Sequence, residues 1–368
     1  MHNITKRTIG FRSLIISIAI IATPILLKCS SSSLYDVPRL LDIKSLSTIL
    51  FFLLISRGFV ISGLNTRLAQ WIRAKGKADG FSVLLFYLLS TIVLSAMATN
   101  DGAVLVMIPV GLKLSEISGW NPVSIVVLGL IAANTGSILF PFSNPQNIII
   151  WQYYNVSFTG FIEVSSVVFA IATLILLLVV YLEIGRKRLE RVASYPKVKI
   201  SSTTGYTTLL LLLLGIALSN EGYGSYAFLL ALGIFVLVDR YIVYSVDWAL
   251  ALLFIFLFLD FNSLALILSK HLIHPVTNRS LIYLGTLAFS QVISNVPTTI
   301  FLTKITQQWN SLIVSANIAG YLTPIGSLAN LIGLRLSNVS WKAYVRKSLV
   351  FSSTITITGY IIITFILG

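Results

Sequence analysis

Two stretches of the sequence combine asparagine, proline, glycine and hydroxyl side chains within otherwise apolar surroundings. They span residues 133–147 and 316–330 and align without gaps. The identical positions are Ala133 and Ala316, Asn134 and Asn317, Leu139 and Leu322, Pro141 and Pro324, and Asn147 and Asn330. A helix interrupted in this way leaves backbone groups unpaired, and hydrocarbon cannot hydrogen-bond them. Two such breaks at matching places predict a binding site between two broken membrane helices.

Two further polar interruptions, Asn100-Asp101 and Ser294-Asn295, are expected at the tips of helical hairpins. A carboxylate at membrane depth is costly, so Asp101 is predicted to hold a cation or to carry a proton. Capping of the following helix is the alternative role, and the two roles are compatible. Asparagine offers donors and an acceptor without charge, which suits an oxyanion beside a cation. The alternative is that the amides only satisfy the broken backbone.

The predicted substrate- and ion-binding residues come from both tips and both breaks. They are Asn100, Asp101, Asn134, Thr135, Gly136, Ser137, Asn144, Asn147, Ser294, Asn295, Asn317, Thr323, Gly326, Ser327 and Asn330. Helix-breaking roles are predicted for Pro141, Pro145, Pro297 and Pro324. Arg57 and Asp260 lie in other apolar runs and are candidates to pair with each other or to flank the pathway, with snorkelling as the alternative for Arg57. No catalytic residue and no metal ligand is predicted, since His271 and His274 alone are a weak metal signal.

The composition assigns the chain to the membrane proteins. Of 368 residues, 56% are hydrophobic and 10% are charged, whereas about a quarter are charged in soluble domains. The apolar runs have lengths typical of membrane helices, which favours an all-α bundle over an outer-membrane barrel. The net charge of +14 lies in short loops, where it indicates membrane orientation rather than a nucleic-acid partner. The single cysteine excludes an internal disulfide.

The order of the apolar runs predicts a polytopic protein built from two inverted repeats, with about nine spans. The first predicted repeat is 1–182, with a hairpin at 81–113 and a broken helix at 121–154. A basic linker with an extra span follows at 183–224. The second predicted repeat is 225–368, with a hairpin at 280–306 and a broken helix at 310–334. The piece 103–112 is too short to cross the hydrocarbon, so the first hairpin is expected to re-enter.

The positively charged segments predict the orientation of the chain in the plasma membrane. They place the N-terminus in the cytoplasm and the C-terminus outside. The apolar run 14–27 follows Lys6, Arg7 and Arg12, as in a signal peptide. No small-x-small cleavage site follows the run, so we interpret it as the first span.

Four motifs carry a resemblance to a known group of proteins. The motifs are Asn100-Asp101 with Pro109, Asn134…Pro141…Asn144-Pro145-Gln146-Asn147, Ser294-Asn295-Val296-Pro297, and Thr323-Pro324-Ile325-Gly326-Ser327…Asn330. They resemble the ion-transporter superfamily, which includes arsenite/antimonite permeases, divalent-anion:sodium symporters such as citrate transporters, and one type of sodium/proton antiporter. Dicarboxylate symporters usually show Ser-Asn-Thr at the tips, so the tips here look more like those of the arsenite permease branch. The resemblance implies hairpin tips and broken helices that meet around substrate and coupling ion, and alternating access.

The expected function is secondary active transport of a small anion or an arsenite-like oxyacid, coupled to H⁺ or Na⁺. A sodium/proton antiporter is the main alternative, because Asp101 alone could exchange the two cations. An intramembrane enzyme using Asp101 and Asp260 is a minor alternative, and we expect no enzyme. No cofactor is expected beyond the coupling ion. The expected partners are the anion and the lipid bilayer, while a homodimer and a partner ATPase subunit stay open.

Overall fold

The computed structural model describes residues 22–25, 27–28, 37–41, 43–64, 80–118, 120–184, 202–269 and 275–366. Most of the predicted first span, the basic loops at 65–79 and 185–201, and both His271 and His274 lie outside the described residues. The described part is helical, and its only extended pairing is an isolated bridge between Val276 and Thr306. The chain therefore has the predicted all-α architecture.

Fourteen main helices are numbered here in chain order. In the first half they are α1 Ile43–Ile61, α2 Gly80–Ala98, α3 Asn100–Ser118, α4 Pro122–Gly136, α5 Pro145–Tyr153 and α6 Phe158–Ile184. In the second half they are α7 Ser202–Asn220, α8 Gly224–Ser245, α9 Trp248–Ser269, α10 Arg279–Ile293, α11 Asn295–Thr303, α12 Trp309–Ala319, α13 Leu328–Ser337 and α14 Trp341–Ile361. Among the described helices, 4 are long and apolar enough to cross a membrane: α6, α7, α8 and α14 with its π-helical extension to Ile366.

Helices α2 and α3 form a hairpin that reverses at Thr99, whose φ is 82°. Tyr87 on α2 packs so closely on Gly111 of α3 that its hydroxyl lies 2.4 Å from the position a Cβ would take there. These two residues are equidistant from Thr99, so the arms run antiparallel. The second arm is a helix of 19 residues, long enough for about 28 Å. The sequence predicts a polar loop at Lys113 and Glu116 after the apolar piece 103–112, and that prediction is wrong because both residues lie within α3. Re-entry of the hairpin stays a prediction.

Helices α10 and α11 form a second hairpin, which reverses at Ser294 with a φ of 73°. Its two ends are joined by backbone pairing, since the Val276 amide donates to the Ile305 carbonyl at 2.8 Å and the Thr306 hydroxyl donates to the Val276 carbonyl at 2.7 Å. The outgoing arm α11 has 9 residues, which reach only about 14 Å. The chain thus enters and leaves this hairpin at one end.

The two interrupted helices are largely buried; the first lies within its predicted range, and the second extends beyond its range by one residue at the start and three at the end. The first consists of α4 and α5 separated by residues 137–144, and the second of α12 and α13 separated by residues 320–327. A single 3₁₀ turn, Pro324–Gly326, lies in the second break. Proline starts α5 and this 3₁₀ turn, where its missing N–H costs no helical hydrogen bond.

Helices α1, α7 and α8 form a separate packed group beside this centre. Small residues allow close approach, since a Cβ on Gly215 of α7 would lie 1.9 Å from the Phe51 ring of α1. The two charged residues in apolar runs do not pair with each other. Arg57 donates to the Ser245 hydroxyl at 3.3 Å, and Asp260 accepts from the Thr23 hydroxyl at 2.6 Å. The suggested Arg57–Asp260 pair is therefore wrong.

Candidate substrate and ion site between the two broken helices

The two helix breaks meet through reciprocal pairs of buried asparagines. The Asn134 amide of the first break donates to Asn330 Oδ1 of the second at 2.8 Å. The Asn317 amide of the second break donates to Asn147 Oδ1 of the first, also at 2.8 Å. The aligned sequence positions, Asn134 with Asn317 and Asn147 with Asn330, thus make equivalent bonds. This is the pattern expected of two repeats related by a local twofold axis.

A second reciprocal pair of hydrogen bonds follows the same local symmetry. Asn144 donates to Asn317 Oδ1 at 2.9 Å. Ser327, which aligns with Asn144, donates to Asn134 Oδ1 at 3.1 Å. Each central asparagine, Asn134 and Asn317, therefore donates to one residue of the opposite break and accepts from another.

The same asparagines also satisfy the backbone groups that the breaks leave unpaired. Asn147 Nδ2 donates to the Ser137 and Phe140 carbonyls at 3.0 and 3.2 Å. Asn330 Nδ2 donates to the Gly320 and Thr323 carbonyls at 2.6 and 3.4 Å, again at aligned positions. The donor hydrogens of these amides are thus used within the protein. In this conformation the asparagines hold the breaks together, and an anion needs donors from elsewhere.

Both hairpin tips touch the breaks. The backbone N–H of Asn100, at the first tip, donates to the Ser143 carbonyl at 3.1 Å. The Asn295 side chain of the second tip donates to the Ala316 carbonyl at 3.4 Å. Ser294 lies at the turn itself, half-buried. The structure therefore brings together the four stretches that the sequence singled out.

Asp101 lies in the first turn of α3, beside the first break. Its side chain is 8% exposed. It lines a small cavity with Thr99, Pro145 and Ile148, closed on the far side by residues of α1 and by Phe254. The N-termini of α3 and α5 are thus both close to this carboxylate, and positive helix ends stabilise a negative charge.

Four helices, α3, α5, α11 and α13, begin at the breaks or at the hairpin tips that touch them. Two have side-chain caps, since Asn144 accepts from the Asn147 amide at 2.8 Å and Thr99 accepts from the Gly102 amide at 3.3 Å. The N-termini of α11 and α13 have no side-chain cap. Uncapped N–H groups at a helix N-terminus form a natural anion site. Both of the helix starts without a side-chain cap thus lie in the second half of the chain.

The remaining predicted residues have mainly structural contacts. Thr135 shares a hydrogen bond of 2.9 Å with the Tyr321 hydroxyl, and Ser137 donates to the Asn134 carbonyl at 2.9 Å. Gly136 and Gly326 permit close backbone approach, since Cβ atoms there would lie 2.1 Å from the Ile92 oxygen and 2.2 Å from the Ala319 oxygen. All four predicted helix-breaking prolines are buried in or beside the breaks: Pro141, Pro145, Pro297 and Pro324.

Three residues that the sequence did not single out belong to the same network. Gln291 accepts from the Thr323 hydroxyl at 2.8 Å and donates to the Ala319 carbonyl at 3.2 Å. The Tyr344 hydroxyl accepts from Asn330 at 3.0 Å and donates to the carbonyl of Tyr321 at 3.3 Å. Gln291 is a polar residue just before a tip, which is a usable signal. The tyrosines count as apolar in a hydropathy pattern and give none.

The described helices and the buried polar centre define an all-α membrane transporter. The chain belongs to the citrate transporter family, which matches residues 4–311. It is 29% identical to the inner membrane protein YbiR of Escherichia coli (strain K12) over 312 residues, covering 82% of each chain. It is 28% identical to the uncharacterized transporter MJ0456 of Methanocaldococcus jannaschii over 277 residues, 74% of this chain and 76% of that one. The family is one of transporters, not enzymes.

The fold is also similar to that of a solved transporter. The crystal structure of the Alcanivorax borkumensis YdaH transporter superposes with a TM-score of 0.54 and 14% sequence identity, covering 95% of this chain and 97% of that chain. At this level of identity the similarity concerns the fold alone. Closeness to the arsenite permease branch has no support from these comparisons, which point to the citrate transporter family.

Proposed function

We propose that this protein is a secondary active transporter of a small oxyanion, coupled to H⁺ or Na⁺, that works by alternating access. The family match makes citrate and related carboxylates the first substrates to test. The anion would bind where the hairpin tips meet the two breaks, in a plasma membrane with the N-terminus inside and the C-terminus outside. No tightly bound cofactor is part of the proposal.

One observation carries the proposal: four helices begin at the breaks or at the hairpin tips that touch them, and two of these helix starts lack side-chain caps. The free N–H groups and the aligned helix dipoles favour negative charge there. The asparagine bonds hold the two breaks together and so fix the position of these helix ends. The site is assembled from both halves of the chain, as rocking of one bundle against the other would require.

Asp101 is the proposed coupling residue. It is a carboxylate beside the same crossing, so a Na⁺ ion or a proton on it would offset charge repulsion with the anion. Binding of the cation and the anion would then be mutually favourable, which is the thermodynamic requirement for coupled transport. Loss of the carboxylate should remove the coupling while leaving the asparagine contacts between the breaks in place.

The test is flux in proteoliposomes under separately imposed Na⁺ and pH gradients. Citrate, succinate, sulfate and arsenite are offered in turn to the wild-type protein, to Asp101→Asn and to Asp239→Asn. Asp239 is the control because it lies at a kink in α8 away from the crossing. The proposal predicts gradient-driven anion flux that Asp101→Asn abolishes and Asp239→Asn retains. Anion flux that does not respond to either gradient would contradict it.

A sodium/proton antiporter is the second candidate, favoured by the buried position of Asp101 beside the crossing. It predicts Na⁺ movement against H⁺ without any added anion, and the same vesicles measure this. Arsenite, which is largely uncharged at neutral pH, is included because amides and hydroxyls dominate the hydrogen bonds at the crossing. Arsenite flux without citrate flux would move the substrate assignment to a neutral oxyacid.

A further inference from the structure

A cleft of about 660 Å³ opens beside the second break, between α10 and the first turns of α14. Its walls include the apolar side chains of Val345 and Leu349. Two exposed cations, Lys342 and Arg346, line the same cleft one helical turn apart. Volumes of this size are typical of small-molecule sites. The cleft is open and lined mainly by apolar atoms, and its positive charge comes from these two cations.

The inner end of the cleft is joined to the central crossing. Gln291 and Thr323 line the cleft and are hydrogen-bonded to each other at 2.8 Å. The Thr323 carbonyl in turn accepts from Asn330 at 3.4 Å. Asn330 is one of the asparagines that pair across the breaks. A ligand in the cleft would thus adjoin Thr323, a predicted site residue that is hydrogen-bonded to Asn330.

The equivalent place at the first break is filled by aromatic rings. The Phe140 carbonyl accepts from Asn147 as the Thr323 carbonyl accepts from Asn330, so Phe140 and Thr323 correspond. The Phe140 ring stacks on Phe142 with centroids 5.3 Å apart and an angle of 6°. Local symmetry alone therefore does not produce the cleft, which is a specific feature of the second half.

The charges at the two places also differ. Phe158 is the first residue of α6, as Trp341 is the first residue of α14. The Phe158 ring stacks on the Phe140 ring with centroids 6.1 Å apart. Counted from these starts, the exposed Glu163 of α6 takes the position of Arg346 in α14. The aromatic side thus has an acidic residue where the open side has a cation. An anion is favoured only on the side of the second break.

We propose that this cleft is a first binding site for the transported anion. Lys342 and Arg346 would bind the oxyanion groups there before the anion reaches the crossing. This inference rests on the proposed function. Arginine binds carboxylates through paired hydrogen bonds, and lysine adds a compact charge. The basic sequence around α14 places the cleft on the cytoplasmic side. The phosphate of an anionic lipid has the same chemistry, and the experiment separates the two sources.

Binding is measured first, without transport, through the fluorescence of Trp341 on the cleft. The purified full chain in neutral detergent is titrated with citrate, with sulfate and with short-chain phosphatidylglycerol. The variants are Trp341→Phe, Lys342→Gln/Arg346→Gln and the control Arg240→Gln, an exposed cation on α8 outside the cleft. We expect citrate or sulfate to change a signal that is absent in Trp341→Phe. The double variant should weaken the affinity at least about tenfold, while Arg240→Gln leaves it unchanged.

Flux in vesicles of neutral lipid then ties the cleft to transport. The double variant should raise the KM for the anion at the cleft side about tenfold with little change in Vmax, and weaken its dependence on salt. An unchanged KM and unchanged binding would overturn the inference, as would a signal from phosphatidylglycerol alone. Absence of anion flux in the wild-type protein would instead overturn the proposed function, so the two failures are distinguishable.

Discussion

At the scale of single residues, the central asparagines combine the two roles that the sequence left open. Asn317 donates to the Ile313 carbonyl of its own helix at 2.9 Å and to Asn147 across the crossing. It also accepts from Asn144. Sequence alone identified these residues from their place beside proline and glycine. The reciprocal pairing could not be predicted from the sequence, because it depends on how two distant breaks approach each other.

Replacing Asn317 by aspartate should destabilise the protein. The substitution keeps the shape but removes both donor hydrogens, so a carboxylate oxygen would face Asn147 Oδ1 and the Ile313 carbonyl. Unsatisfied buried groups of this kind cost about 1–3 kcal/mol, and more when charged. Thermal unfolding in detergent should show a lower Tm for Asn317→Asp. The matched control Asn121→Asp changes an exposed helix-capping residue in the same chemical way and keeps the acceptor for the Val123 amide, so it should not lower the Tm.

The two hairpin turns make a second prediction at this scale. Ser294 and Thr99 have positive φ angles of 73° and 82°, and a non-glycine residue in such a sparsely populated region costs about 1–3 kcal/mol. Ser294 makes no side-chain cap for α11, so Ser294→Gly should raise the Tm. Thr99 caps α3 through the Gly102 amide. Thr99→Gly loses this cap and should therefore raise the Tm less than Ser294→Gly does. A larger gain for Thr99→Gly would contradict this account of the caps.

At the scale of helices, most apolar segments were predictable because hydropathy and length suffice for them. Helices α6, α7, α8 and α14 lie in apolar runs that are long enough to cross a membrane. The exception is α3, which continues through Lys113 and Glu116 to Ser118. Polar residues within a helix look like a loop in a hydropathy pattern. The kink in α8 at Asp239, with φ of −158° and ψ of 87°, also had no sequence signal.

Close packing between helices predicts the effect of glycine substitutions. A Cβ on Gly136 would lie 2.1 Å from the Ile92 backbone oxygen of α2. Backbone cannot move aside as a flexible side chain can, so Gly136→Ala should separate α4 from α2 and lower both Tm and yield. Gly285 in α10 has no atom within 4 Å of its would-be Cβ. There Gly285→Ala should raise helix stability by about 1 kcal/mol. Equal Tm values for the two variants would refute the predicted contact.

At the scale of the whole molecule, the two halves share a hydrogen-bond pattern but differ in their surroundings. The repeat alignment predicted which residues correspond, and the crossing bonds connect those residues. The sequence did not predict that one break is covered by stacked phenylalanines while the other is open. Such a difference arises from tertiary packing of side chains far apart in sequence. The division into inverted repeats in a membrane stays a prediction.

The aromatic cover at the first break gives a prediction at this scale. Phe142 stacks between Phe140 and Phe52, with centroid distances of 5.3 and 5.2 Å. If these rings close one side of the pathway, Phe140→Ala should speed the leak of the substrate anion through the protein without an imposed gradient. Phe289→Ala is the control, since that ring lies on the second hairpin against Phe301. Equal leak rates in the two variants would contradict the closing role.

The most direct test of the central claim, that the anion binds where tips and breaks meet, is protection of an introduced cysteine. The only native cysteine, Cys29, is replaced by serine, and Ser294→Cys is introduced at the second tip. The alkylation rate is measured with and without the transported anion, with exposed Thr159→Cys as the control. Our account predicts that a saturating anion slows alkylation at the tip and leaves the control unchanged. Equal rates at the tip with and without the anion, in a variant that still transports, would contradict the assigned site.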